Sequence, residues 1–196
     1  MASQADICNL GLVNLGQSPD ITSINPPDGT KYSASAAQFW PIMLDKVLGE
    51  FDWDFARKQL TLQEVTDEEP EAWDYAFALP TDMVAPRMLQ CADQADPNIG
   101  IDYEIKDGIL FCNESDVVLR YTYRNTNTST YSNGAVLAMG AYMAHLLAAP
   151  VTKDPAVSAA WMKMYGSYLA EAMVKNMGRV NYPDRYAPPG ISARWQ

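Results

Sequence analysis

Asp52 and Asp54 occupy alternate positions of Phe51-Asp52-Trp53-Asp54-Phe55, and a pair of carboxylates on one side of a chain is what acid/base hydrolysis of a glycan requires. No nucleophile is encoded nearby, and the interleaved aromatic rings read as core anchors, with the segment a short strand or an irregular corner beneath helices. His145 is the single histidine, which removes multi-histidine metal sites and leaves a Ser-His-Asp or Cys-His mechanism hanging on one side chain in an alanine-rich helix. It reads instead as a satisfied interior or interface residue. The run Asp67-Glu68-Glu69-Pro70-Glu71 could attract cations, but it lacks calcium-loop spacing and reads as a solvated loop. Cys8, Cys91 and Cys112 show no CxxC spacing and are odd in number, so reduced core thiols and intracellular assembly are expected. GxGxxG, P-loop and HExxH motifs are missing from the sequence. No catalytic residue, cofactor-binding residue, cofactor or metal ligand is therefore assigned.

Recognition chemistry is concentrated at the other end of the chain. Residues 179–196 carry Arg179, Arg185 and Arg194 against the single Asp184, with Tyr182, Tyr186 and Trp195 among prolines and a glycine. Proline and glycine stop a helix, so an extended arm is predicted. Arginine and aromatic side chains are the types enriched in interface hot spots, and these six residues are the candidate contacts to a neighbouring subunit or partner.

The whole chain has 196 residues and a net charge of −10, which disfavours binding along a nucleic-acid backbone. Residues 1–6 lack the basic start and apolar core of a signal peptide, and no membrane-length apolar stretch is expected, so a soluble protein is predicted. Asn113-Glu114-Ser115 and Asn127-Thr128-Ser129 match the glycosylation pattern but have no secretory context.

The elements that must carry these groups are legible in outline. Ser3 and Asp6 cap a first helix that Gly16 ends, and a second helical pattern runs from Ala34 to Leu48 with Pro41 predicting a kink or two pieces. Trp73 to Leu79 alternates as a strand, Met83 to Cys91 is a second strand interrupted by Pro86, Asp107-Gly108 marks a hairpin, and Val117 to Tyr123 completes one sheet. Ala135 to Ala149 is a helix ending before Pro150. Asp154-Pro155 starts a last helix running to Gly178, with methionines at 162, 164, 173 and 177 as adaptable packing surface. The predicted class is α+β: a helical bundle from the N- and C-terminal segments (1–58 and 132–178), an antiparallel β insertion (59–131), and the extended arm (179–196).

Several segments together resemble the phage tail tubular protein A family. They are Ile7-Cys8-Asn9-Leu10-Gly11-Leu12-Val13-Asn14-Leu15-Gly16, Ile21-Thr22-Ser23-Ile24, Phe39-Trp40-Pro41 to Leu48, Phe51-Asp52-Trp53-Asp54-Phe55-Ala56-Arg57, and Trp73-Asp74-Tyr75-Ala76-Phe77-Ala78-Leu79-Pro80-Thr81-Asp82, followed by Leu119-Arg120-Tyr121 and 135–150. The resemblance covers about the first three quarters of the chain, and the arm matches only in character. It implies a virion protein at the portal vertex, assembled in the host cytoplasm. Such a head-to-tail adaptor forms a ring, commonly dodecameric, between the portal protein and a tail nozzle or tail tubular protein B-like protein, and DNA passes through without specific binding. Two alternatives are a tail-completion or gatekeeper protein of another phage type, and an envelope-degrading hydrolase using Asp52, Asp54 or the acidic run.

Overall fold

The computed structural model describes residues 2–66, 72–93, 96 and 99–177. Within them the chain is an α+β protein, with helices at both ends and antiparallel strands between. The first helix, α1 (Gln4–Asn14), begins with the expected capping box: the Asp6 amide donates to the Ser3 hydroxyl at 3.1 Å and the Ser3 amide to the Asp6 carboxylate at 2.8 Å. It ends at Gly16, whose φ of +72° lets the Gln17 amide reach back to the Leu12 carbonyl. Burial pushes the Cys8 thiol on this helix up to about 12. All three thiols are free, Cys8 and Cys112 buried and Cys91 partly exposed.

The link to the next helix is held by two side chains. The Asn9 amide bonds both the carbonyl and the N–H of Ile21, at 2.8 and 3.1 Å, and so copies one rung of a strand ladder. Asp28 accepts from the amides of Thr22, Ser23 and Thr30 and from both threonine hydroxyls, and the Thr22 and Thr30 donors hold its carboxyl well below the usual carboxylate range. A depressed folded-state pKa contributes stability above the unfolded value, about 3.9, and that contribution is lost as pH falls toward the folded value. The Tm gap between the native chain and Asp28→Asn is therefore expected to be widest above about pH 5 and to shrink below about pH 4. A gap that stays constant with pH would contradict this role.

Helix α2 (Ser33–Glu50) buries Ala36, Trp40, Met43, Leu44, Val47 and Leu48, the 3.6-residue period of one apolar face. The expectation of two pieces is corrected, because the helix passes through Pro41 unbroken. Pro41 lies on the exposed side, so the carbonyl it deprives of a donor falls where water can reach. Residues 51–55 then form the irregular corner, closed by a 3-10 turn at Asp54–Ala56.

Six strands follow: β1 (Arg57–Thr61), β2 (Tyr75–Ala78), β3 (Met83–Cys91), β4 (Glu104–Lys106), β5 (Ile109–Cys112) and β6 (Val117–Tyr123). Two three-stranded sheets, ordered β1-β6-β3 and β2-β5-β4, replace the single sheet expected. Both sheets contribute to a separate core of Phe77, Leu89, Leu110, Val117, Leu119 and Tyr121. Ala76 is buried too, against the alternation expected of its strand. β1 was not foreseen and starts inside the predicted helical part, because its residues are almost all exposed and show no period. β3 is continuous through Pro86: it is an edge strand, and register shifts on either side of the proline absorb the missing donor. Asp107 and Gly108 both have positive φ, +53° and +82°, as the predicted two-residue hairpin requires.

Helix α3 (Asn133–Thr152) is capped by Ser132 and, against the expected end before Pro150, runs past that proline. The proline sits in the last, exposed turn, where its missing bond costs least, and Lys153 at φ +56° ends the helix. Helix α4 (Pro155–Met177) starts as predicted, with the Ala156 amide donating to Asp154 at 2.8 Å. α3 is the central helix, covered by α1, α2 and α4. Glycines set its close approaches, since a Cβ at Gly140 would lie 2.4 Å from Leu10 and one at Gly134 would lie 2.7 Å from Ala172. Contrary to expectation, α3 is long and apolar enough by composition to cross a membrane (mean hydropathy 1.5), and half of that stretch is buried inside this fold.

One residue locks the two cores together. Arg87 of β3 donates through Nη2 to the carbonyls of Leu48 (3.0 Å), Gly49 (3.0 Å) and Phe51 (2.7 Å), and through Nε to the Thr122 hydroxyl at 2.7 Å. A cation here satisfies the carbonyl end of α2 and favours its dipole.

Candidate functional site

The six predicted contact residues, Arg179, Tyr182, Arg185, Tyr186, Arg194 and Trp195, lie outside the described residues, as do Gly178 and the acidic run 67–71. The remaining chemical candidates are all placed. Asp52 accepts from Arg57 Nε at 3.0 Å and lies 3.8 Å from Arg120 Nε, so it ties the corner to β1 and β6. Asp54 accepts from the Phe55 amide at 2.9 Å. Between them Trp53 is fully buried, donates its indole N–H to the Val47 carbonyl at 2.8 Å, and contacts Phe51 and Phe55 at ring separations of 5.2 and 5.5 Å. The two carboxylates thus serve different local partners around an aromatic anchor.

His145 holds α3 to α4. Its Nδ1 lies 2.9 Å from both the carbonyl and the hydroxyl of Ser158, and that hydroxyl lies 3.2 Å from the His145 carbonyl. A ring N–H donated to the Ser158 carbonyl, with the hydroxyl donated to the His145 carbonyl, makes a reciprocal staple. Beside it an open cleft of about 570 Å³ is lined by Ala149, Lys153, Pro155 and Met162. No group of three or more metal-ligating side chains occurs among the described residues.

A second cleft, of about 420 Å³, opens between the start of α3 and the last turns of α4. The loop before α3 builds one wall. Asn125, itself buried, donates to the Phe55 carbonyl and the Thr130 hydroxyl, and the Tyr131 hydroxyl donates back to the Asn125 carbonyl, so Thr130 to Ser132 are fixed at the cleft edge. The close approach of Gly134 to Ala172 forms the floor. Leu137 and Tyr168 add apolar surface, and Leu137 is 46% exposed. Glu171 pairs with Lys175 through Oε1. Asn176 is buried, and its Oδ1 has no hydrogen-bond partner among the described residues. A buried acceptor left without a donor is uncommon in a folded chain and marks a place where a donor fits.

Of the methionines expected to form an adaptable surface on α4, Met162 and Met164 are exposed and Met173 packs partly buried against the core; Val174 is exposed beside them. Sequence reasoning missed Arg87, Asn125 and Asn176, since each is a polar residue whose burial is decided by distant chain returning over it. No protein-family model and no curated protein matches the chain.

Proposed function

We propose that this chain is a structural subunit of a phage virion, a head-to-tail adaptor that assembles as a ring between a portal protein and the tail nozzle. The observation that carries the reading is what the segments resembling tail tubular protein A do in the fold. Asn9 clamps Ile21, Trp53 anchors the end of α2, Asp52 meets Arg57, and Asp82 meets Lys58 and the Tyr121 hydroxyl. Residues that resemblance singles out are spent on holding a frame, the use expected of a part that bears load and does not turn over substrate.

Two features suit the role. A ring built from head-to-tail contacts needs two different surfaces on each subunit, and the acidic body with its exposed α4 side chains differs in kind from the cationic, aromatic 179–196 segment. A net charge of −10 also disfavours adhesion of the passing genome to the wall. The ring is proposed to be dodecameric, at the portal vertex, with DNA passing through unbound. The test is co-sedimentation of the purified chain with its phage's portal ring: it should travel with the ring, and a chain that stays behind overturns the proposal. Peptidoglycan or glycan turnover that vanishes in Asp52→Asn would instead establish the hydrolase.

A further inference from the structure

We infer that the cleft between α3 and α4 receives the 179–196 segment of a second copy of this chain, with Arg194 donating to Asn176 and Glu171 and Trp195 seated against Leu137 and Tyr168. The inference rests on the ring-forming reading above and names the contact that would close such a ring. Three properties of the cleft select this occupant. The Asn176 Oδ1 is buried and has no partner among the described residues, and desolvation of an acceptor is offset only when a donor arrives. Glu171 uses Oε1 on Lys175, which leaves Oε2 to accept, and a guanidinium presents donors in a fork that can serve two acceptors at once. Leu137 and the Tyr168 ring then offer apolar surface for a flat side chain next to the arginine.

The chain itself supplies the complement. Arg185-Tyr186 and Arg194-Trp195 each place an aromatic ring directly after an arginine, and the three arginines oppose a body that carries the chain's negative charge. The volume, about 420 Å³, falls within the range of sites that enclose a ligand of a few side chains' size. The Arg194-Trp195 pair stands at the far end of the segment from α4. At a maximum of about 3.3 to 3.6 Å per residue, a segment of this length is long enough to span to a neighbouring copy. A donor in one copy and an acceptor cleft in the next is the head-to-tail arrangement that generates a ring.

The experiment places a p-benzoylphenylalanine photocrosslinker at position 195 of the full chain, mixes isotope-labelled and unlabelled copies, and irradiates them alone and with the portal ring. The expected result is a covalent dimer of mixed isotope content, crosslinked near Leu137 and Tyr168. Its yield should fall at least tenfold in Leu137→Glu and be unchanged in Ile42→Glu, which alters an equally apolar exposed residue of α2 outside the cleft. Circular dichroism on each variant confirms that the fold is kept. Crosslinks within one copy, crosslinks elsewhere, no crosslink, or an undiminished yield in Leu137→Glu each overturn the inference. Portal co-sedimentation of the same samples separates the two claims: retained capture without the cleft crosslink leaves the adaptor standing and removes only the arm-in-cleft contact.

Discussion

Replacing Trp53 with alanine is expected to cost about 3–5 kcal/mol of unfolding free energy, measured from urea denaturation, the range for removing a large aromatic from a filled core. The indole is fully buried and its N–H is bonded to the Val47 carbonyl in the last turns of α2. It also stands in the middle of a run of rings that reaches from Phe51 through Phe55 to Tyr131. The substitution therefore opens a cavity, frees a buried carbonyl and loosens the corner between the helical layer and β1. Since whole domains are stable by only about 5–15 kcal/mol, the variant should sit near the edge of folding. Trp53→Phe keeps most of the volume and loses the donor, so it should fall between the two. A loss below about 1 kcal/mol for the alanine variant would show that the corner is not an anchor.

The second large effect is expected at Arg87, where Arg87→Met should cost about 2–4 kcal/mol. Methionine retains the apolar stem but removes the donors that serve the Leu48, Gly49 and Phe51 carbonyls and the Thr122 hydroxyl. Burial lowers the Arg87 pKa from its ordinary value, yet a guanidinium remains charged throughout the physiological range. Lysine places one point charge where a planar fork is needed, so Arg87→Lys should recover less than half of the loss. Hydrogen exchange should localise the damage, with faster exchange in the last turn of α2 and along the β3–β6 pairing. Full recovery by lysine would mean that charge alone matters at this position.

These two residues mark how far the sequence could be read. Signals confined to a few residues were legible: the Ser3-Asp6 box, Gly16, Asp107-Gly108 and Asp154-Pro155 all specify geometry through their own dihedrals and short hydrogen bonds. The aromatic corner was legible as an anchor because five residues with three rings have few other uses. The prolines misled where exposure decided the outcome. Pro41 and Pro150 lie on exposed turns, and Pro86 lies on an edge strand, so each missing donor falls where it is tolerated.

The division into two sheets was not legible, because it depends on which strands share the Phe77–Leu119 core and not on any strand's own pattern. Of the proposed site, the 179–196 residues stand out by composition and lie outside the described residues. The cleft with its buried Asn176 was not legible, because it forms only when Gly134 brings the start of α3 against Ala172. Arg87 and Asn125 escaped for the same reason, since polar residues in strands and loops are ordinarily solvated and only tertiary closure turns these two into hubs.

The most direct test of the adaptor reading is the mass of the assembly formed when the purified chain meets its phage's portal ring, alongside a chain truncated after Gly178. The account predicts a defined complex with one chain per portal subunit, formed by the intact protein and lost on truncation while circular dichroism of the truncated body is unchanged. An intact, folded chain that adds no mass to the portal ring would contradict it.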